Sequence, residues 1–258
     1  MRERQNTLYV GSLAKGLRLL HAFDAQHIEM SLGELAERTG LDKSATQRLA
    51  NTLYVEGMLD KDPVTRRFRP SRAWLKLAYA YYWSDPLVAL AMPKMIELSR
   101  KFDLTIALAE MMGDHIIYVS RFPSRSSPFS STLPGRHLPA LSCSAGRAML
   151  STWPADQRED AIRTWTVGAF TPETVQDRDQ IRAEIEGAAK LGYATTQDQM
   201  ILNRSGIAAA IKGQDGVAYS SIQCSVSSHH WSWDRIHAEI LPHLLEVAAS
   251  IEPRSRGN

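Results

Sequence analysis

Six side chains between residues 43 and 51, Lys43, Ser44, Thr46, Gln47, Arg48 and Asn51, carry the donors and acceptors that read the edges of DNA bases. Amides such as Gln47 and Asn51 pair bidentately with adenine, a guanidinium such as Arg48 pairs with guanine, and the hydroxyls of Ser44 and Thr46 reach bases or phosphates. Further on, Lys61, Arg66, Arg67, Arg69 and Arg72 stand against Asp60 and Asp62. Cations so placed neutralise phosphates and add salt-dependent, sequence-blind affinity. Two other groups suggest chemistry and lack its remaining parts. Ser12 and Lys15 have the SxxK spacing in which a lysine activates a serine one helical turn away, but the SDN and KTG companions of such enzymes are absent. His229, His230, His237 and His243 gather near the C-terminus, yet the spacings of seven and six among the last three do not give the i, i+4 pair of a helical zinc site. There is no GxSxG elbow, phosphate-binding loop or dinucleotide fingerprint. The expectation is a chain with no catalytic residue, no cofactor and no metal.

The elements that must hold these side chains are marked by caps and periodicity. Leu13, Leu17, Leu20 and Phe23 recur at spacings of four and three, which predicts an amphipathic helix with that stripe inward. Ser31 with Glu34 forms a capping box, Leu32, Leu35 and Ala36 give a buried stripe, and Gly40 supplies a left-handed stop. A second box, Ser44 with Gln47, opens a helix to Glu56 with Ala45, Leu49 and Leu53 inward and Gly57 beyond it. Two capped helices joined this closely make a helix-turn-helix, with the base-reading side chains on the exposed face of the second. Residues 58–61 and 66–70 then read as strands about the turn Asp62-Pro63-Val64-Thr65, a candidate wing with a cationic tip.

Charge agrees with that placement. The first 84 residues hold 13 Lys and Arg against 9 Asp and Glu, a net +4, while the rest hold 17 against 19, a net −2, so the basic surplus belongs to the N-terminal third. Such a bias suits an anionic partner. Cys143 and Cys224 have no ligand or disulfide spacing, no signal-peptide core is present, and no apolar run reaches the ~18 residues that span a bilayer. A reducing cytoplasm and no membrane partner are expected.

Residues 71–84 include Trp74, Leu75, Leu77, Tyr79, Tyr81, Tyr82 and Trp83, more large apolar groups than a short helix buries against one small domain. A linker helix that self-associates is expected there. Asp85-Pro86 starts another helix running to about residue 101. Strands follow at 104–111 and 115–122 around Gly113-Asp114, then a Ser/Pro-rich loop at 123–131, a helix at 177–191, strands at 206–212 and 217–224, and a last helix at 232–251 with Ile236, Ile240, Leu244 and Val247 on one face. Antiparallel strands interspersed with helices make an α+β pattern whose sheet keeps one face for a ligand cup. The expected boundaries are 1–70 for a winged helix-turn-helix domain, 71–84 for the linker and 85–258 for an effector domain.

In order and spacing, these segments resemble the IclR family of bacterial regulators. The N-terminal likeness lies in the residues from Leu32-Gly33-Glu34-Leu35-Ala36-Glu37-Arg38-Thr39-Gly40 through Ser44, Thr46, Arg48 and Leu49 to Glu56-Gly57. The C-terminal likeness lies in Gly135-Arg136 with Leu138-Pro139, Ala145-Gly146-Arg147-Ala148, Phe170-Thr171-Pro172, Gly192-Tyr193 and Gly206-Ile207-Ala208-Ala209. The resemblance implies a GAF-like sensor domain, a dimer or tetramer, and a ligand-responsive repressor of a catabolic operon that binds double-stranded promoter DNA. It also implies a small organic or aromatic acid as effector, held by Ser144 and Ala145 at a helix start together with Thr196, Gly206, Ser221 and Gln223. Unpaired helix-start amides favour a carboxylate. The chain departs from the family's small-acid sensors at three of these positions, with a hydroxyl at Thr196 where an acid is common, glycine at Gly206 where cysteine is frequent, and a slightly larger residue at Ser144. Arg204 is the expected countercharge.

Overall fold

The capping box at Ser31 forms as its spacing requires: the Glu34 amide donates to Ser31 Oγ (3.3 Å) and the Ser31 amide to Glu34 Oε2 (2.6 Å). It opens α2 (Leu32–Thr39), which ends on Gly40 at φ 66°. In the computed structural model, which describes residues 8–125 and 133–251, α1 (Gly11–Leu20) precedes it and α3 (Lys43–Val55) follows. Strands β1 (Leu59–Lys61) and β2 (Phe68–Pro70) pair antiparallel as the wing. Met30 exchanges two backbone hydrogen bonds with Phe68 (2.8 and 2.7 Å), pinning the wing to the segment before α2. Leu19, Met30, Leu35, Ala50, Leu59 and Phe68 close the core. Helix α4 (Ala73–Ser84) completes this first unit, Met1–Ser84, and is anchored at its start by Trp74, whose indole donates to the Met58 carbonyl (2.9 Å).

Two local expectations need correction. The buried side of α1 is Gly16 and Leu19, not the Leu13–Leu17 stripe, and Leu13 and Leu17 are 62% and 48% exposed. Leu20 and Phe23, the rest of that stripe, pack half-buried against the core beside Leu19. The cap of α3 is Asp42, whose carboxylate accepts from the Ala45 amide (2.7 Å), so the Ser44–Gln47 box does not form. An aspartate two residues upstream competes at least equally for the same orphan amides.

The second unit, Asp85–Asn258, is built on a six-stranded antiparallel sheet. After α5 (Pro86–Phe102) come β3 (Thr105–Met112), β4 (His115–Phe122) and β5 (His137–Pro139); later come β6 (Ala194–Gln197), β7 (Arg204–Ile211) and β8 (Ser220–Ser227). Their spatial order is β5-β4-β3-β8-β7-β6. Helix α6 (Ser144–Leu150) packs on one face with every residue buried, covered outside by α7 (Ala155–Thr164) and α8 (Arg178–Leu191). Sequence periodicity misses β5, β6 and α7, the last because Ala161 and Ile162 are its only fully buried residues.

The final helix is broken. Trp233–Arg235 and Leu241–Ala249 (α9 and α10) flank a π-helical turn, Ile236–Ile240. Pro242 has no amide to donate, and a helix commonly widens or kinks where a proline interrupts its ladder. Most of the 123–131 loop, residues 126–131, lies outside the described residues. Among the described residues no helix is long and apolar enough to cross a membrane, and no group of three or more His, Cys, Asp or Glu is placed to hold a metal.

Candidate DNA-reading surface and effector site

On α3, Lys43, Ser44, Gln47, Arg48 and Asn51 are all exposed, and Ser44, Gln47, Arg48 and Asn51 share one face by their i, i+3, i+4, i+7 spacing. Thr46 corrects the expectation: it is fully buried, its hydroxyl donating to the Asp42 carbonyl (2.9 Å). Its place in the sequence put it among the readers, but its helix angle puts it with Ala45 and Ala50 on the packing side. On the wing, Arg66 is exposed at the tip at φ 61°, and Lys61 is half-buried over the Phe68 ring. Arg67 also departs from expectation. Its guanidinium pairs with Glu29 (3.2 Å) and Glu34 (2.8 Å) and donates to the Glu29 carbonyl (3.1 Å). It staples the wing to the start of α2. Glu34, held by Ser31 first and Arg67 next, has its carboxyl pKa lowered to about 2.

In the second unit, residues far apart in sequence meet at Gly206. A Cβ there would lie 2.8 Å from Ser144 Oγ, 3.0 Å from Gln223 Nε2 and 3.0 Å from Thr196 Oγ1. Pairing explains the convergence: Thr196 on β6 opposes Gly206 on β7, and Gln223 on β8 opposes Ala208, two residues further along the same face. Tyr118 donates its hydroxyl to Gln223 Oε1 (2.5 Å), which turns the amide nitrogen toward Gly206. Ser144 Oγ is buried with no hydrogen-bond partner among the described residues. Ser221 donates to the Ala145 carbonyl (3.2 Å) and so ties α6 to the sheet. Arg204 opposes Ser227 at the start of β7, two positions before Gly206.

Burial pushes the Cys143 thiol up to about 11, against the opposing effect of the Gly146 and Ala145 amides at the start of α6. Burial raises the Cys224 thiol to about 12. Neither sulfur is a nucleophile at neutral pH.

Sequence reasoning also missed Tyr118 and Arg121. Three residues apart in a strand, they should lie on opposite faces. The β3–β4 register shifts between Leu108 and Ala109, so that Tyr118 opposes Ala109 and Arg121 opposes Ala107. That bulge puts both on the Gly206 face, with the Arg121 guanidinium 4.5 Å from the centre of the Tyr118 ring.

Comparison with known proteins matches residues 80–253 to the C-terminal domain of IclR bacterial transcriptional regulators and residues 12–63 to the IclR helix-turn-helix domain. The chain belongs to the IclR family. As an IclR-family protein it is a DNA-binding regulator of transcription rather than an enzyme. It is 25% identical over 246 residues to the p-hydroxybenzoate hydroxylase transcriptional activator of Acinetobacter baylyi, covering 93% of this chain and 90% of that protein. The crystal structure of the IclR regulator of Alicyclobacillus acidocaldarius superposes with a TM-score of 0.83 at 20% identity, covering 94% of this chain and 98% of that one. An IclR homologue of Microbacterium hydrocarbonoxydans, crystallised with 4-hydroxybenzoate, has a TM-score of 0.76 at 19% identity and covers 93% and 97% of the two chains. These likenesses agree with the winged helix-turn-helix and the mixed helix-and-sheet second unit described above.

Proposed function

We propose that this regulator reads a pseudo-palindromic operator through the exposed face of α3, grips phosphates through the wing tip, and responds to a small carboxylic acid bound at Gly206. The observation that carries the effector reading is the convergence of Ser144, Thr196 and Gln223 on one glycine, with a buried hydroxyl left unpartnered among the described residues. Aromatic acids are the favoured class: a homologue of the same fold was crystallised in complex with 4-hydroxybenzoate, and p-hydroxybenzoate hydroxylase gives the Acinetobacter relative its name. Self-association is part of the reading, because Leu75, Leu77, Tyr79 and Trp83 of α4 are 59–76% exposed in the single chain. A dimer matches the two half-sites of a palindrome.

Footprinting tests the DNA half. Gln47→Ala and Arg48→Ala are expected to relax base preference at particular positions, by about 1–3 kcal/mol for each bidentate pair removed. Arg66→Ala should weaken all sequences alike and reduce the salt slope by about 1. Arg67→Ala should act through wing stability, lowering the melting temperature of the first unit. Unchanged footprints in both α3 variants would remove α3 as the reader. For the sign of control we place the chain as a repressor of a catabolic operon. Since the Acinetobacter relative is an activator, a reporter decides it: deletion that raises transcription supports repression, and deletion that abolishes it makes the chain an activator.

A further inference from the structure

We propose that Arg121, not Arg204, is the countercharge that selects a carboxylate in this regulator, holding the acid end of a planar ligand whose other end meets Gln223, Ser144 and Thr196. The inference rests on the effector reading above and assigns a specificity residue within it.

Four observations converge. The bulge on β4 is the first, because without it Arg121 would point away from Tyr118 and Gln223. Bulges next to binding sites commonly re-aim one side chain in this way. Second, Arg121 Nε is buried with no hydrogen-bond partner among the described residues, and no carboxylate among them faces the guanidinium. The charged and titratable groups that bear on it are Tyr118, whose ring it covers, and a second cation, Arg136. A half-buried guanidinium beside another guanidinium, without an acid, is unfavourable until an anion arrives. Burial accordingly pulls the pKa of Arg121 down.

Third, the Arg136 carbonyl, in the segment before β5, accepts the Tyr118 amide (2.9 Å), so a second cation stands beside the residue whose ring Arg121 covers. Fourth, Arg121 and Gln223 stand on one face of the sheet, separated on the backbone by an alanine position. Arg121, Ala107, Gln223 and Ala208 form one cross-strand row, and Ala109 and Gly206 lie beside it. Adjacent strands are about 4.8 Å apart, which sets the Arg121 and Gln223 backbones roughly 10 Å apart across alanine. Tyr118 crosses this row from β4 to Gln223, so an acid seated in the site meets the Arg121 fork at one end and Gln223 at the other with the Tyr118 ring beside it. A fork also matches a carboxylate bidentately, as a lysine would not.

Calorimetric titration of the full chain with benzoate, 3-hydroxybenzoate and 4-hydroxybenzoate, each beside its uncharged primary amide, tests this. The wild-type chain is expected to bind at least one acid about tenfold or more tightly than its amide. In Arg121→Gln that preference should collapse to near unity, and Arg121→Lys, the variant to use if the first does not fold, should keep only part of it. Arg204→Gln should keep it whole. If Arg121→Gln retains the acid preference while Gly206→Val abolishes binding of acid and amide together, the effector site stands and the role of Arg121 is refuted. If Arg204→Gln loses the preference, the countercharge is Arg204. If no acid binds the wild-type chain, the carboxylate class falls and the inference with it.

Discussion

Alanine at Gly146 is expected to destabilise the second unit by about 3 kcal/mol or more, the upper end of what overpacking costs. The cause is backbone against backbone: the added Cβ would lie 2.2 Å from the Ala140 carbonyl oxygen and 2.5 Å from its Cα. Flexible side chains can yield to such a clash, but Ala140 begins the tight turn Ala140–Ser142 that feeds α6, and both are wholly buried. For a unit of this size, roughly 2–4 °C of melting temperature are lost per kcal/mol, so thermal unfolding should begin about 10 °C earlier. A melting curve superimposable on the wild type would mean that α6 and the turn separate easily, and that the tight seating of Ser144 has another origin.

Arg147→Met is the second large effect. The Arg147 side chain is completely buried; its Nε donates to the Leu141 carbonyl (2.7 Å), Nη1 to Glu184 and Nη2 to Gln199 Oε1 (3.1 Å). Methionine fills much of the volume but leaves three acceptors without a donor, on the turn before α6, on α8 and on the β6–β7 loop. Breaking a buried pair on one side costs about 3–5 kcal/mol. Glu184 is 30% exposed and recovers some hydration, so about 2–4 kcal/mol is expected here. Glu184→Gln, which keeps an acceptor, should cost less than half as much. Denaturant titration distinguishes these outcomes, and equal losses in the two variants would contradict the three-way role given to the arginine.

Much of this architecture is legible in the sequence because its signals are local. The Ser31–Glu34 box and the left-handed Gly40 depend on neighbours within a turn, and each stands where its spacing requires; the helix expected at 177–191 forms as α8, Arg178–Leu191. The strands around Gly113 are as local and nearly as well bounded. What could not be read depends on partners remote in the chain. On α1 and just after it, packing against the other elements of the core buries Leu19 fully and Leu20 and Phe23 in part, and leaves Leu13 and Leu17 exposed. Arg67 looks like a phosphate ligand until Glu29 and Glu34 are brought against it. At the effector site, resemblance supplied Ser144, Thr196, Gly206 and Gln223, but no alternation rule reveals Tyr118 and Arg121 on one face, since one residue of bulge inverts the parity. Arg147 was visible only as part of a family motif, and its three partners are 6, 37 and 52 residues away.

Coupling of ligand and operator through one protein requires the ligand to prefer one of two arrangements of the chain. The direct measurement is fluorescence anisotropy of the full chain on its footprinted operator at fixed salt, with and without a saturating concentration of the acid that binds most tightly in the calorimetric series. The DNA dissociation constant is expected to change by about fivefold or more. In Gly206→Val, whose Cβ alone would press to within 2.8–3.0 Å of Ser144 Oγ, Gln223 Nε2 and Thr196 Oγ1 and displace them, the operator should still be bound and the response to acid abolished. An identical DNA dissociation constant in the presence and absence of the bound acid would contradict ligand control of this regulator.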